Sequence, residues 1–148
     1  MAGYTERVSE RMYPLDTYNA DSLGVGVANG TWVSLRDYHR VWVFINVGDM
    51  VATATLDLLL QQATDTAGTG AKAITGKAIT QLTQAGGDSD SLVCIELQTE
   101  ELDVSGNFDA IRFVATVAAA AVELAVTVFG CQSRFDAVPT TNWAEIVG

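Results

Sequence analysis

Histidine, cysteine and proline are scarce in this chain, with one, two and two copies in 148 residues. The lone His39 sits in the stretch Asp37-Tyr38-His39-Arg40. No Ser, Cys or carboxylate stands at a diagnostic spacing from it, so a catalytic triad is unsupported. One His and two Cys give no zinc spacing. Cys94 and Cys131 are too few for a disulfide framework. Each lies in or beside an apolar run, so both are expected as packed free thiols of a reducing, cytoplasm-like compartment. A phosphate-binding loop is missing as well, because Ala67-Gly68-Thr69-Gly70-Ala71-Lys72 lacks the first half of that pattern. Asp88 and Asp90 are spaced to share a hard cation, but the Gly and terminal Glu of a calcium loop are absent, and no metal or cofactor is expected.

Basic charge is also in short supply. Eight Lys and Arg face eighteen Asp and Glu, for a net charge of −10. That balance opposes binding to a nucleic-acid backbone or to anionic lipid, and favours solubility or docking onto a basic surface. The acidic cluster Glu100, Glu101 and Asp103 is either a solvated edge or such a docking patch. Residues 111–131 have the length of a membrane span, but Arg112 and Glu123 interrupt them, so no membrane is expected as a partner. The first residues show no basic region followed by an apolar stretch, so no signal peptide is expected. Nothing places two carboxylates about a cleft, and the chain is expected not to be an enzyme.

What is present is alternation. The chain is 49% apolar, which supports one domain with a real core. Residues 32–65 and 102–136 carry the same pattern at a separation of 70 positions. Val41 falls on Ile111, Val43 on Phe113, Val47 on Val117, Leu56 on Val126 and Leu58 on Val128. Each unit is expected to be a β-hairpin. In the first, Val41, Val43, Ile45 and Val47 share one face while Trp42, Phe44 and Asn46 share the other. In the second, Ala118–Ala121 raise helix propensity, so a helix over 114–127 is the alternative; the match to the first unit favours strands.

The flanking segments are simpler. Residues 1–18 are expected as an N-terminal arm carrying Tyr4, Tyr13 and Tyr18, with one or two helical turns stopped by Pro14. Leu23, Val25 and Val27 predict a strand, Asn29-Gly30 a turn, and Trp32–Leu35 the returning strand. Residues 63–72 and 85–91 are loops by composition. Residues 73–84 predict an irregular or edge strand, guarded by Lys72 and Lys77. Leu92–Gln98 is a strand, and residues 137–148 form a C-terminal arm with Trp143. About eight to ten strands without a long helix predict an all-β, two-sheet antiparallel sandwich, jelly-roll-like, or a barrel, over residues 19–136.

Both faces of the first long strand are apolar, so one is covered either by another chain or by an arm folded back. Tyr4, Tyr13, Tyr18, Trp42, Phe44 and Trp143 are the candidate interface residues. In Tyr18–Leu23, Val33–Gly48, Leu59–Ala73 and Glu100–Phe113, the chain resembles small virion structural proteins of tailed bacteriophages, over roughly residues 18–135. The matching features are strand and loop patterns, not catalytic signatures. The resemblance implies a non-enzymatic particle component such as a capsid decoration or cement protein, a homo-oligomer made in the host cytoplasm. Its partners would be the major capsid protein or other virion proteins. The competing readings are a tail or neck component, and a carbohydrate-binding β-sandwich stacking sugars on Trp42 or Trp143.

Overall fold

The computed structural model describes residues 7–134 and 143–147. Ten strands follow one another: β1 (Met12–Leu23), β2 (Gly26–Asn29), β3 (Val33–Ser34), β4 (Tyr38–Met50), β5 (Thr55–Ala63), β6 (Lys72–Ala78), β7 (Leu82–Thr83), β8 (Leu92–Gln98), β9 (Ala110–Ala118) and β10 (Val122–Ser133). One sheet has the order β1-β10-β4-β8; the other has β2-β9-β5-β6, with β3 also on β9 and β7 also on β5. Every pairing is antiparallel. Eight main strands in two facing sheets of this order form a jelly roll.

The repeated units are not hairpins. β4 lies in the first sheet and β5 in the second, while β9 lies in the second and β10 in the first. Each unit therefore crosses between layers at its corner. The two units clasp each other, with β4 paired to β10 and β5 to β9. Burial explains the choice. Both strands of a unit carry one fully apolar face, and a crossing turns those two faces toward each other across the core. The corners are themselves joined, Val51 N–H donating to Ala121 O at 3.0 Å. Thr53 (φ 74°) and Ala119 (φ 66°) make the left-handed bends. The alanine run falls on the second corner, which is why the helix alternative fails.

The alternation places the core. Val41, Val43, Ile45 and Val47 are buried against Leu56, Leu58 and Leu60 and against the matching residues of β9 and β10. Val126 sits opposite Ile45, whereas their counterparts Leu56 and Ala115 are two residues out of register, Leu56 facing Val117. A slip of two keeps every side chain on its own face; a slip of one would have turned the core outward.

Two boundaries differ from the sequence expectation. Residues 12–18 are not an arm but the first half of β1, paired along β10. Tyr13 and Tyr18 turn inward: Tyr13 stacks with Tyr38 at 6.1 Å, and Tyr18 meets Phe113 edge-on at 6.3 Å. An edge strand accommodates Pro14, which has no N–H to give a ladder. The expected helical turn is the short 3-10 turn Val8–Glu10. Asn29-Gly30 does not close a hairpin either, since β2 and β3 both lie along β9. Gly30 N–H donates to Phe113 O at 2.9 Å. A Cβ on Gly30 would fall 2.5 Å from the Phe113 ring, so glycine serves close approach here, not a turn. Gly30→Ala should cost ~1–3 kcal/mol in urea unfolding by forcing that ring aside.

β6 is an edge strand, as its lysines suggested, and β8 is the edge of the facing sheet. Lys77 links the two edges. Its ammonium donates to Glu96 O at 2.8 Å and pairs with Glu101 at 2.8 Å. The Lys77 hydrogen bond, then the Gln98 N–H, hold the Glu101 carboxyl below its ordinary value. A depressed folded-state value gives stability that is present above the unfolded pKa and lost as pH falls through the folded one. Because Glu101 is partly exposed and its pair is screened by solvent, Lys77→Met should lower stability at neutral pH by only ~0.5–1 kcal/mol. It should also flatten the acid limb of a stability-against-pH curve below the usual Glu range.

Candidate interaction surface

The inner face of the first sheet is filled by the core, yet its outer face is apolar too. Strand alternation sends Trp42 and Phe44 of β4 outward between the buried Val41, Val43 and Ile45. On β10 the same phase exposes Phe129, opposite Trp42 in the ladder. The rings form a continuous row. Trp42 meets Phe44 at 5.6 Å and Phe44 meets Phe129 at 5.7 Å, both edge-to-face. Trp143 then lies on Phe129 at 6.1 Å. Trp143 thus lies on the face that the sequence left open to either an arm or another chain. Among the described residues, the buried Trp143 indole N–H has no hydrogen-bond partner.

Beyond Trp42 the apolar surface continues as an open groove of about 370 Å³ lined by Val8, Met12, Trp42 and Cys131, with Arg11 and Arg40 at its sides. Arg40 is steadied by Gln132, whose Oε1 accepts from its Nε at 3.0 Å. Both thiols are free, but Cys94 is exposed on the outward phase of edge strand β8 and not packed as expected, while Cys131 is half-buried. Burial, and for Cys94 the nearby Glu96, push them above their ordinary values, so both are held as thiols and are poor nucleophiles at neutral pH.

The candidate residues separate into three groups. Trp42, Phe44 and Trp143 are brought together on one face. Tyr13 and Tyr18 are not part of it, because their rings point to the core side of β1. Tyr4 lies outside the described residues. Phe129, Met12 and Val8 were missed by sequence reasoning. The signal for Phe129 was available: Ala125, Thr127, Phe129 and Cys131 occupy the outward phase of β10, and one bulky aromatic interrupts that small or polar set.

Other polar features serve the fold. The Asp88 carboxylate accepts Thr83 N–H at 2.8 Å, and the Asp65 carboxylate accepts Ala67 and Thr69 N–H at 2.9 and 3.0 Å, closing their loops. Lys72 pairs with Asp103 at 2.5 Å, so part of the acidic cluster is internally neutralised. His39 lies 3.9 Å from Glu100, both half-exposed or more. Among the described residues no group of three or more His, Cys, Asp or Glu is placed to hold a metal ion. No described helix is long and apolar enough to cross a membrane. A second open groove, between edge strands β6 and β8, is lined by Ile79, Leu82, Val93 and Ile95 beside Lys77.

No protein-family model and no curated protein sequence matches the chain. A solved structure of infectious bursal disease virus, Gt strain, superposes with a TM-score of 0.46 at 10% sequence identity, over 85% of this chain and 33% of that one. The present chain thus spans about a third of the length of that viral protein.

Removing the Phe129 ring should free the tail. In Phe129→Ala, Trp143 emission should shift to the red and the tail should become readily cleaved by protease. The emission change should vanish when Trp143 is replaced by Phe. Loss of an outward ring should cost less stability than the ~3–5 kcal/mol expected for truncating the core ring in Phe113→Ala.

Proposed function

We propose that the chain is a non-enzymatic structural component of a phage particle, a capsid decoration or cement protein that holds neighbouring shell subunits. The observation that carries this reading is the aromatic row on the outside of a sheet whose inside is already full. Extended apolar surface of this kind mainly marks protein contact. Trp is among the residues that dominate binding energy when they are buried at the centre of an interface. The surface is a broad face, suited to a protein partner of similar extent, such as the major capsid protein or another virion protein.

The charge distribution supports a basic partner. One end of the sandwich, formed by residues 48–54 and 84–91, carries Asp49, Asp88 and Asp90, and all eight Lys and Arg residues lie outside these segments. Such a field steers association and rejects acidic surfaces. The resemblance to small phage virion proteins points the same way. A particle protein gains by lattice repetition, which turns many weak contacts into tight attachment. Binding only the assembled shell then stabilises it by mass action.

The test is cosedimentation of the purified chain with assembled shells stripped of it. Trp42→Ala should weaken attachment about thirtyfold, as expected for a central anchor worth ~2 kcal/mol. A chain ending at residue 134 should attach poorly while keeping its fold. Undiminished attachment by both variants overturns the reading. Sugar-dependent quenching of Trp fluorescence, lost in Trp42→Ala, would replace it with the carbohydrate-binding one. Cosedimentation with tails instead of heads would move the protein to the tail or neck.

A further inference from the structure

We propose that the free edge of β8 is a docking site for an extended segment of another protein, which adds to the first sheet as a fifth strand and carries a basic residue at the end facing residues 84–91. The site is separate from the aromatic face and holds whether or not that face attaches to a shell.

The backbone of β8 sets the site. β8 is the last strand of its sheet, and among the described strands it pairs with β4 alone. Its phase follows from one bond, Val47 N–H donating to Ser91 O at 2.9 Å. Further along the ladder Ile45 faces Val93, Val43 faces Ile95 and Val41 faces Leu97. These pairs share the phase of Val47 and Ser91, so their N–H and C=O groups are spent between β4 and β8. The groups of Leu92, Cys94, Glu96 and Gln98 point the other way, to the open edge. Two contacts mark that direction. Lys77 Nζ donates to Glu96 O at 2.8 Å, and Gln98 N–H donates to Glu101 Oε2 at 2.8 Å. Side chains therefore cap the edge from Glu96 O onward. From Leu92 to the Glu96 N–H the edge is bare.

Three features define the occupant. First, the bare donors and acceptors recur every second residue, about 6.6–6.8 Å apart, a repeat that another extended main chain matches. Second, the open groove beside the edge, about 370 Å³, is lined by Ile79, Leu82, Val93 and Ile95. Alternate apolar side chains of the guest would seat there. The bare stretch spans four residue steps, about 13 Å, so the guest contributes about five residues. Third, the charge is one-sided. Asp88 and Asp90 stand just before Leu92 in the chain. Lys77, the cation that lines the groove, is already engaged by Glu101 and Glu96 O. A Lys or Arg of the guest is attracted at the upper end, and an acidic residue is repelled. Antiparallel addition, the pattern of every pairing in this molecule, places that basic residue at the guest's C-terminal end.

The probe is a synthetic peptide of alternating Val and Thr that ends in Lys, blocked at both termini and titrated into the full chain. In the free protein, amide exchange followed by NMR should be fast at Leu92, Cys94 and Glu96 and slow at Val93, Ile95 and Leu97. With the peptide at about ten times its dissociation constant, exchange at the first three should slow about tenfold, the factor by which the free form is depleted. The same peptide N-methylated throughout has no donors for the edge and should not bind. A peptide with Glu in place of Lys should bind roughly fivefold more weakly. Cys94→Pro removes an edge N–H that β4 does not use, so it should abolish binding while Val93 and Ile95 stay protected. Slow exchange at Cys94 in the free chain overturns the proposal. So does binding that survives N-methylation, binding that is equal for the Glu peptide, or no binding at millimolar peptide. Shell attachment is read from cosedimentation, so the two readings fail separately.

Discussion

The clasp between the two repeated units sets everything else in this molecule. β4 finds its partner in β10 and β5 finds its partner in β9, so neither unit can complete a sheet without the other. Each unit also has to cross between layers, because its two apolar faces must end up opposed. These two demands leave β1 and β8 at the edges of one sheet and β2 and β6 at the edges of the other. The central strands are thereby fixed from both sides. The edges are left to be managed locally, by Lys77 between β6 and β8 and by the inward tyrosines of β1.

The clasp also accounts for the outer aromatic row. β4 and β10 are adjacent and central in their sheet, so the outward phase of both strands forms one surface. Trp42 and Phe44 come from one unit and Phe129 from the other, and they meet only because the units pair crosswise. Had each unit folded as a hairpin, Phe129 would have lain beside β9 and the row would not exist. The candidate surface is thus a product of topology. It arises from the arrangement of long-range pairs, and no local stretch of sequence contains it.

That origin explains what sequence reasoning could and could not reach. Period-two alternation marks strands and assigns faces, and the inner residues Val41, Val43, Ile45, Phe113, Leu56 and Val126 followed from it. The two-sheet sandwich followed as well. Alternation is silent about which strand lies beside which, so crossing units were mistaken for hairpins. Gly30 was read as a turn because its local signal is that of a turn, and its actual constraint, the ring of Phe113, lies more than eighty residues away. Tyr13 and Tyr18 read locally as arm residues because charges alternate with the spaced tyrosines and Pro14 stops a helical turn, yet an edge strand tolerates that proline. For the surface, Trp42, Phe44 and Trp143 were legible as aromatics out of phase with the core. Their convergence with Phe129 was not.

A sheet with two apolar faces is costly for an isolated domain, since water must order around whichever face is left open. Trp143 reduces that cost by covering Phe129, while the groove beside Trp42 stays open. Polar residues in the outward phase of β4 would lower the remaining cost, as Asn46 does further along the same strand. Under the proposed attachment, burial against another protein surface would remove the rest of that cost, and the acidic residues at one end of the sandwich would restrict which surfaces can approach.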